Sequence, residues 1–134
     1  MRVVLDTNVL ISGIYFGGIP GRIVDAWLDV KFTACITPSI YEEYLKVIDR
    51  FSKKGTSPIV ERDWPTLLPE ICYMISDQRL SQPISRDPGD DKFIACAVGA
   101  KASHIVTGDL DLKTIPPRLD FKIVSPEEFL NILK

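Results

Sequence analysis

Three carboxylates stand close together in the stretch "ISRDPGDDKFIACAVGA", where Asp87, Asp90 and Asp91 precede a run with an apolar helical face. Two carboxylates about 4 Å apart in a partly buried setting repel one another by roughly 4 kcal/mol. Proteins accept such clusters at helix N-termini, where capping and the helix dipole favour acids, or around a bound cation. The rest of the sequence has to discriminate between these two interpretations.

Other acids follow segments that have the pattern of buried strands. Asp6 follows "RVVL", Glu43 lies shortly after "KFTACIT", and Asp109 and Asp111 come directly after "HIVT". In a parallel α/β sheet, ligands bind where the carboxyl ends of the strands meet the following helices. We therefore expect acids from four separate parts of the chain, with Asp91 among them, to converge on one edge of the sheet.

The alternation of strand and helix patterns predicts an α/β fold: a single-domain parallel sheet flanked by helices in three layers, α/β/α. The length of 134 residues and the hydrophobic content of 46% suit one domain spanning residues 1–134. The predicted strands cover residues 2–6, 31–37, 104–107 and 121–124. The predicted helices cover residues 7–16, 20–30, 39–51, 59–75 and 90–101, with a last one from residue 126.

Helix capping explains some of the acids. Ser39 followed by Glu42 has the spacing of a capping box, which assigns Glu42 to the backbone and leaves Glu43 spare. In the opening stretch, Asp87 before a proline suits an N-cap, and Asp90 suits the helix dipole. Asp91 is less easily explained by capping.

Asp6 also has no obvious capping role, although it could simply initiate a turn. If the acids converge, a cation must offset their repulsion or their pKa values must rise. A set of oxygen ligands without His or Cys favours Mg²⁺ or Mn²⁺ over Zn²⁺. Such ions take their remaining ligands from water and phosphate, so phosphodiester chemistry is the natural hypothesis.

Composition narrows the class of protein. The net charge of −2 argues against binding nucleic acid through bulk basicity. Cys35, Cys72 and Cys96 are widely spaced in apolar text, which predicts reduced buried thiols rather than a disulfide framework or a zinc site. No signal peptide or membrane-spanning segment is recognisable, which favours a soluble, cytoplasmic protein. Six basic side chains are candidates for local contacts with phosphate groups: Arg50, Lys53, Lys54, Arg79, Arg86 and Lys92.

The chain resembles the PIN-domain family, metal-dependent ribonucleases that include the VapC-type toxins of toxin–antitoxin pairs. The resemblance rests on "VVLDTNVLIS", "TPSIYEEYLKV", "RDPGDDKFIACAVGAKASHIVTGDLDL" and "IVSPEEFL", in that order, and covers essentially the whole chain. It implies hydrolysis of RNA with Mg²⁺ or Mn²⁺, a small antitoxin partner in many members, and a homodimer in many.

Carried over by position, the family's acidic set falls on Asp6, Glu43, Asp91 and Asp109. The resemblance implies that the metal is bound mainly by the three aspartates, with Glu43 binding directly or through water. It further implies supporting roles for four residues, of which Asp90 and Asp111 could also replace a ligand: Asn8, Thr107, Asp90 and Asp111.

Two other hypotheses remain. A haloacid-dehalogenase-type phosphatase also begins with an Asp at the end of its first strand, but it needs a second Asp where this chain has Asn8. A PIN-like module that binds RNA or protein without cutting would not need the full acidic set. The apolar stripes on the helices through Trp27 and Leu67 exceed the needs of a small core, which favours a homodimer.

Overall fold

A computed structural model describes residues 1–79, 88–109 and 120–134 of the chain. The described strands are β1 (Arg2–Leu5), β2 (Thr33–Ile36), β3 (Tyr73–Met74), β4 (His104–Val106) and β5 (Lys122–Val124). The described α-helices are α1 (Thr7–Tyr15), α2 (Gly18–Leu28), α3 (Pro38–Lys53), α4 (Trp64–Ile71), α5 (Asp91–Ala100) and α6 (Pro126–Leu133). A short 3₁₀ helix, Pro88–Asp90, leads directly into α5.

The five strands form one parallel sheet in the order β3-β2-β1-β4-β5. The first strand lies in the middle, where Val3 is opposite Ala34 on one side and Leu5 is opposite Val106 on the other. Its three apolar residues are buried, as expected for a strand covered by helices on both faces. The predicted three-layer α/β/α fold is confirmed.

Helices α1 and α2 pack closely because Gly13 has no side chain. A Cβ atom at Gly13 would lie 2.6 Å from the carbonyl oxygen of Pro20. Farther along α2, the Trp27 ring stacks on the Trp64 ring of α4 with centroids 6.1 Å apart. Both tryptophans are buried, so the Trp27 stripe is used within the chain.

The region after α3 differs from the sequence prediction. A helix over residues 59–75 was expected, but α4 is only Trp64–Ile71, and the backbone turns to an extended conformation at Cys72. The edge strand Tyr73–Met74 was missed; it pairs with Cys35 and Ile36 of β2. Two exposed residues carry no alternating pattern, so the sequence offers no signal for this strand.

The predicted capping box at Ser39 and Glu42 is also wrong. Pro38 occupies the first turn, so the N-cap is Thr37, whose hydroxyl accepts a hydrogen bond from the Ile40 N–H at 3.3 Å. The Ser39 N–H instead donates to Asp77 at 3.4 Å, and Glu42 is exposed.

The three cysteines are free, as predicted; Cys35 and Cys96 are buried as expected, whereas Cys72 is partly exposed. Burial raises the pKa of the Cys72 and Cys96 thiols to about 12, so both are protonated at neutral pH. Within residues 1–79, 88–109 and 120–134, no helix is both long and apolar enough to span a bilayer.

Candidate functional site

Asp6 is the residue at which the central strand β1 meets helix α1. Its backbone N–H donates to the Val106 carbonyl oxygen at 3.0 Å, which ties it to the end of β4. It occupies the N-cap position of α1, but its carboxylate makes no capping hydrogen bond. Only 5% of the residue is exposed. Asp6 is therefore a buried carboxylate at the carboxyl edge of the sheet, without a capping role, as predicted.

Thr107 joins the first and last acids of the predicted set. Its hydroxyl donates to Asp6 Oδ2 at 2.7 Å and accepts a hydrogen bond from the Asp109 N–H at 2.9 Å. The side chain is fully buried, and its own N–H donates to the Val124 carbonyl oxygen at 2.9 Å. The ends of β1, β4 and β5 are thereby fixed to one another, and Asp6 and Asp109 lie on the same edge.

Glu43 reaches this edge from α3. Its Oε2 accepts a hydrogen bond from the Thr7 hydroxyl, at the start of α1, and its Oε1 forms an ion pair with the Lys92 ammonium of α5. The next residue on α3, Tyr44, is buried and donates its hydroxyl to the Leu5 carbonyl oxygen at 2.5 Å. This bond ties α3 to the end of β1 and so positions Glu43 beside Asp6.

The electrostatics place Asp6, Asp109 and Glu43 in one environment. Burial raises the pKa of Asp6 above its ordinary value, and hydrogen bonds from the Thr107 hydroxyl and the Thr7 backbone partly oppose this rise. The negative charges of Asp109 and Glu43 raise the Asp6 pKa further. The charges of two of the three other predicted acids therefore act on Asp6, while Asp91 is not among them.

Asp91 begins α5 and is partly exposed. It lines a cavity of about 350 Å³ together with its neighbour Lys92, the residue that contacts Glu43. The remaining lining residues are Ser39, Asp77, Gln78, Arg79 and Ala95. None of Asp6, Glu43 and Asp109 lines this cavity.

The supporting residues have mixed outcomes. Asp90 is the N-cap of α5 without a side-chain capping bond, and Thr107 supports Asp6 directly. Asn8 is exposed in the first turn of α1. Asp87 and Asp111 lie outside the described residues.

The donor set fits a hard divalent cation, because it consists of carboxylate oxygens around a buried Asp6. Within the described part of the chain, no three His, Cys, Asp or Glu side chains are arranged so that they could already hold a metal ion. The two carboxylate oxygens of Glu43 contact Thr7 and Lys92. The ligand roles of Asp6, Glu43, Asp91 and Asp109 stay predictions.

Sequence reasoning missed the roles of three residues that shape the site. Thr7 was not singled out, although a hydroxyl beside Asp6 was a possible signal for an acid partner. Tyr44 is buried on α3, but its bond to the Leu5 carbonyl oxygen could not be read from periodicity. Lys92 was considered only as a phosphate contact, and its pairing with Glu43 depends on how α3 and α5 pack.

Comparisons with known proteins agree with this architecture. The family model described as the PIN domain matches residues 2–111. A relative from Methanocaldococcus jannaschii, named uncharacterized protein MJ1680, is 30% identical over 148 aligned positions, which cover 98% of this chain and 90% of the relative. The PIN-domain match includes all of the described acids at the sheet edge, and PIN domains are generally nucleases.

Proposed function

Because the chain belongs to the PIN-domain family, we propose that it is a Mg²⁺- or Mn²⁺-dependent endoribonuclease. The observation that supports this proposal is the buried Asp6 carboxylate, whose pKa is raised by burial and by the charges of Asp109 and Glu43. A fold gains nothing in stability from acids that repel one another in a desolvated place, which supports a cation-binding role for them.

In this proposal Asp6, Asp91 and Asp109 bind the cation, and Glu43 binds it directly or through water. When bound, the cation makes a water molecule more acidic and offsets negative charge on the phosphate and leaving oxygen. The Thr107 hydroxyl keeps Asp6 oriented, and the Thr7 hydroxyl does the same for Glu43. The chemistry needs no side-chain nucleophile.

The RNA strand would be bound by cations outside the acidic edge. Arg50, Lys53 and Lys54 are exposed at the C-terminal end of α3, the helix that carries Glu43. Lys53 forms an ion pair at 3.0 Å with Asp49, but that pair is exposed and therefore easily exchanged for a phosphate. Arg79 and Lys92 line the cavity beside Asp91.

We also infer that the protein is the toxin of a toxin–antitoxin pair and that it forms a homodimer. Trp27 is buried within the chain, so the support for a dimer comes from apolar residues that stay exposed: Phe16, Val30, Ile59 and Val98. Sedimentation equilibrium at micromolar protein measures the mass directly. A monomer there would contradict the dimer.

Cleavage of mixed-sequence single-stranded RNA, titrated with Mn²⁺ or Mg²⁺, tests the proposed activity. Wild type is compared with Asp6→Asn and with Asp25→Asn, which makes the same chemical change at an exposed position of α2. We expect Asp6→Asn to lower the rate by more than about 100-fold, beyond the usual loss for a residue that only supports a ligand. Asp25→Asn should cut like wild type.

Two results would overturn the proposal: cleavage by Asp6→Asn at the wild-type rate, or cleavage that continues undiminished in EDTA. Wild-type protein that binds RNA but does not cut it with either metal would instead favour the non-cutting module. A lasting phosphoryl-aspartate formed from a phosphate ester would favour the phosphatase.

A further inference from the structure

We propose that Lys92 is a built-in counter-ion for Glu43, which competes with a divalent cation for this carboxylate and so sets the metal affinity of the site. The inference rests on the proposed function, because it concerns the same acidic edge. It goes beyond that function by assigning a regulatory role to a cation next to Asp91. The ion pair between the Lys92 ammonium and Glu43 Oε1 is the contact on which it depends.

The ion pair between Lys92 and Glu43 is partly shielded from solvent. The Lys92 and Glu43 side chains are 28% and 31% exposed, whereas the surface pair of Lys53 and Asp49 is 78% and 62% exposed. Screening by water and salt weakens the exposed pair more than the shielded one. Lys92 is therefore a cation that the fold holds beside the acids, and the contact joins α5 to α3.

Both oxygens of Glu43 are already engaged. The Thr7 hydroxyl donates to Oε2, while Lys92 contacts Oε1. A divalent cation requires a deprotonated oxygen at close range, and an ammonium at that oxygen blocks the approach and adds repulsion. Direct metal binding through Oε1 of Glu43 therefore competes with the Lys92 ammonium.

The positive charge of Lys92 also offsets part of the mutual repulsion at the edge. Glu43 and Asp109 both raise the pKa of Asp6 by their charges. With Lys92 in place, the negative charge of Glu43 is partly neutralised before any metal binds. Removal of the ammonium should leave an edge that is more negative, less stable without metal, and more attractive to Mn²⁺.

The cavity beside Asp91 has room for the Lys92 ammonium once it is displaced from Glu43. The cavity of about 350 Å³ that it lines contains Asp77 and Asp91 as further acids, and Arg79 as a second cation. A lysine side chain has four rotatable bonds, so its ammonium can move within such a cavity while its helix stays in place.

Binding of Mn²⁺ to the full chain without RNA tests the inference, with free Mn²⁺ counted by electron paramagnetic resonance. We expect Lys92→Gln to bind Mn²⁺ about fivefold more tightly than wild type, the change that corresponds to roughly 1 kcal/mol for one ion pair. Lys122→Gln is the matched control, because it removes the same charge at the amino end of β5, the opposite edge of the sheet. It should leave the affinity within about twofold of wild type.

A double-mutant cycle shows whether Lys92 acts through Glu43. In a Glu43→Gln background the competition is gone, so Lys92→Gln should no longer change Mn²⁺ affinity. Thermal unfolding in EDTA adds a readout independent of metal: Lys92→Gln should unfold at a lower temperature than Lys122→Gln. A merely structural role for Lys92 would give the lower unfolding temperature without tighter Mn²⁺ binding.

Failure of the Lys92 inference and failure of the proposed metal centre give different results in these experiments. If wild type binds Mn²⁺ and Lys92→Gln binds it equally or more weakly, the Lys92 inference is wrong and the nuclease proposal stands. If neither protein binds Mn²⁺ at millimolar concentration, both the inference and the proposed metal centre are wrong. Binding by Lys92→Gln alone would support the inference in its strongest form.

Discussion

The Thr107 hydroxyl donates to Asp6 Oδ2 across 2.7 Å and at the same time accepts the Asp109 N–H at 2.9 Å. One buried side chain thus connects the acid that ends the first strand with the acid that follows the fourth. The connection depends on the hydroxyl alone, because a methyl group in its place could neither donate nor accept. Thr107 is therefore a positioning residue for two predicted metal ligands.

Replacement of Thr107 by Val should destabilise the fold more than replacement by Ser, which keeps the hydroxyl and loses only one buried methyl group. Val removes the donor to Asp6 and the acceptor for the Asp109 N–H, leaving buried polar groups unsatisfied at a cost of about 1–3 kcal/mol in unfolding free energy. Urea unfolding of the two variants measures the difference. A Val variant as stable as the Ser variant, or more stable, would contradict this role of the hydroxyl.

The same variant should change the pH dependence of RNA cleavage. The Thr107 hydrogen bond lowers the pKa of Asp6, so its loss leaves burial and the neighbouring charges to raise that pKa further. Since a metal ligand must be ionised, the acidic limb of the rate profile should move to higher pH in Thr107→Val. A limb that coincides with that of Thr107→Ser would contradict this role.

Asp6→Asn should make the metal-free protein more stable at neutral pH. Burial raises the Asp6 pKa above the unfolded value of 3.8, so the folded state binds more protons, and the unfolding free energy falls as the pH rises between the two values. Asn removes this cost while keeping an oxygen that accepts from Thr107. In EDTA, the advantage of Asp6→Asn in urea unfolding should be largest near about pH 7.5 and shrink towards about pH 4.

If the difference in unfolding free energy between Asp6→Asn and wild type stays constant over this pH range, Asp6 does not titrate as its burial requires. An Asp6→Asn protein less stable than wild type at neutral pH would contradict the conclusion that burial and neighbouring charges destabilise the ionised Asp6 carboxylate. The variant also separates function from folding, because it should be inactive and yet more stable.

Tyr44→Phe should destabilise the protein more than Tyr41→Phe on the same helix. Tyr44 is buried and donates to the Leu5 carbonyl at 2.5 Å, whereas the bond from Tyr41 to the Pro65 carbonyl, 2.6 Å long, is exposed. Loss of the buried donor costs about 1–2 kcal/mol because Leu5 cannot recover a water partner, while loss of the exposed one costs roughly 0.5 kcal/mol or less. Urea unfolding measures both, and equal costs would count against Tyr44 as the tie between α3 and β1.

The strongly patterned parts of the fold were predictable from sequence. The run "RVVL" became the buried central strand, and the apolar stripe with Ile40 and Tyr44 became the inner face of α3. The edge strand Tyr73–Met74 was not predictable, since two exposed residues have no periodicity. The capping-box spacing of Ser39 and Glu42 predicts a helix start at Ser39. Pro38 instead occupies the first turn, so the N-cap is Thr37.

The acids of the site were predictable where each follows a strand. Asp6 and Asp109 could be placed at the carboxyl edge because parallel strands all end there. The contacts of Glu43 with Thr7 and Lys92 could not, because they depend on the relative positions of α1, α3 and α5. A sequence shows which residues share a helix face, but not which neighbouring helix an ammonium or hydroxyl will reach.

Anomalous diffraction from crystals grown with millimolar Mn²⁺ tests the central claim, that Asp6 and its neighbouring acids bind a divalent cation, most directly. The account predicts a Mn²⁺ peak at the carboxyl edge of the sheet, at a coordination distance of roughly 2 Å from carboxylate oxygens of Asp6 and Asp109. In the same map the Lys92 ammonium should have left Glu43. The absence of a peak beside Asp6, or a peak bound only by other residues, would contradict the account.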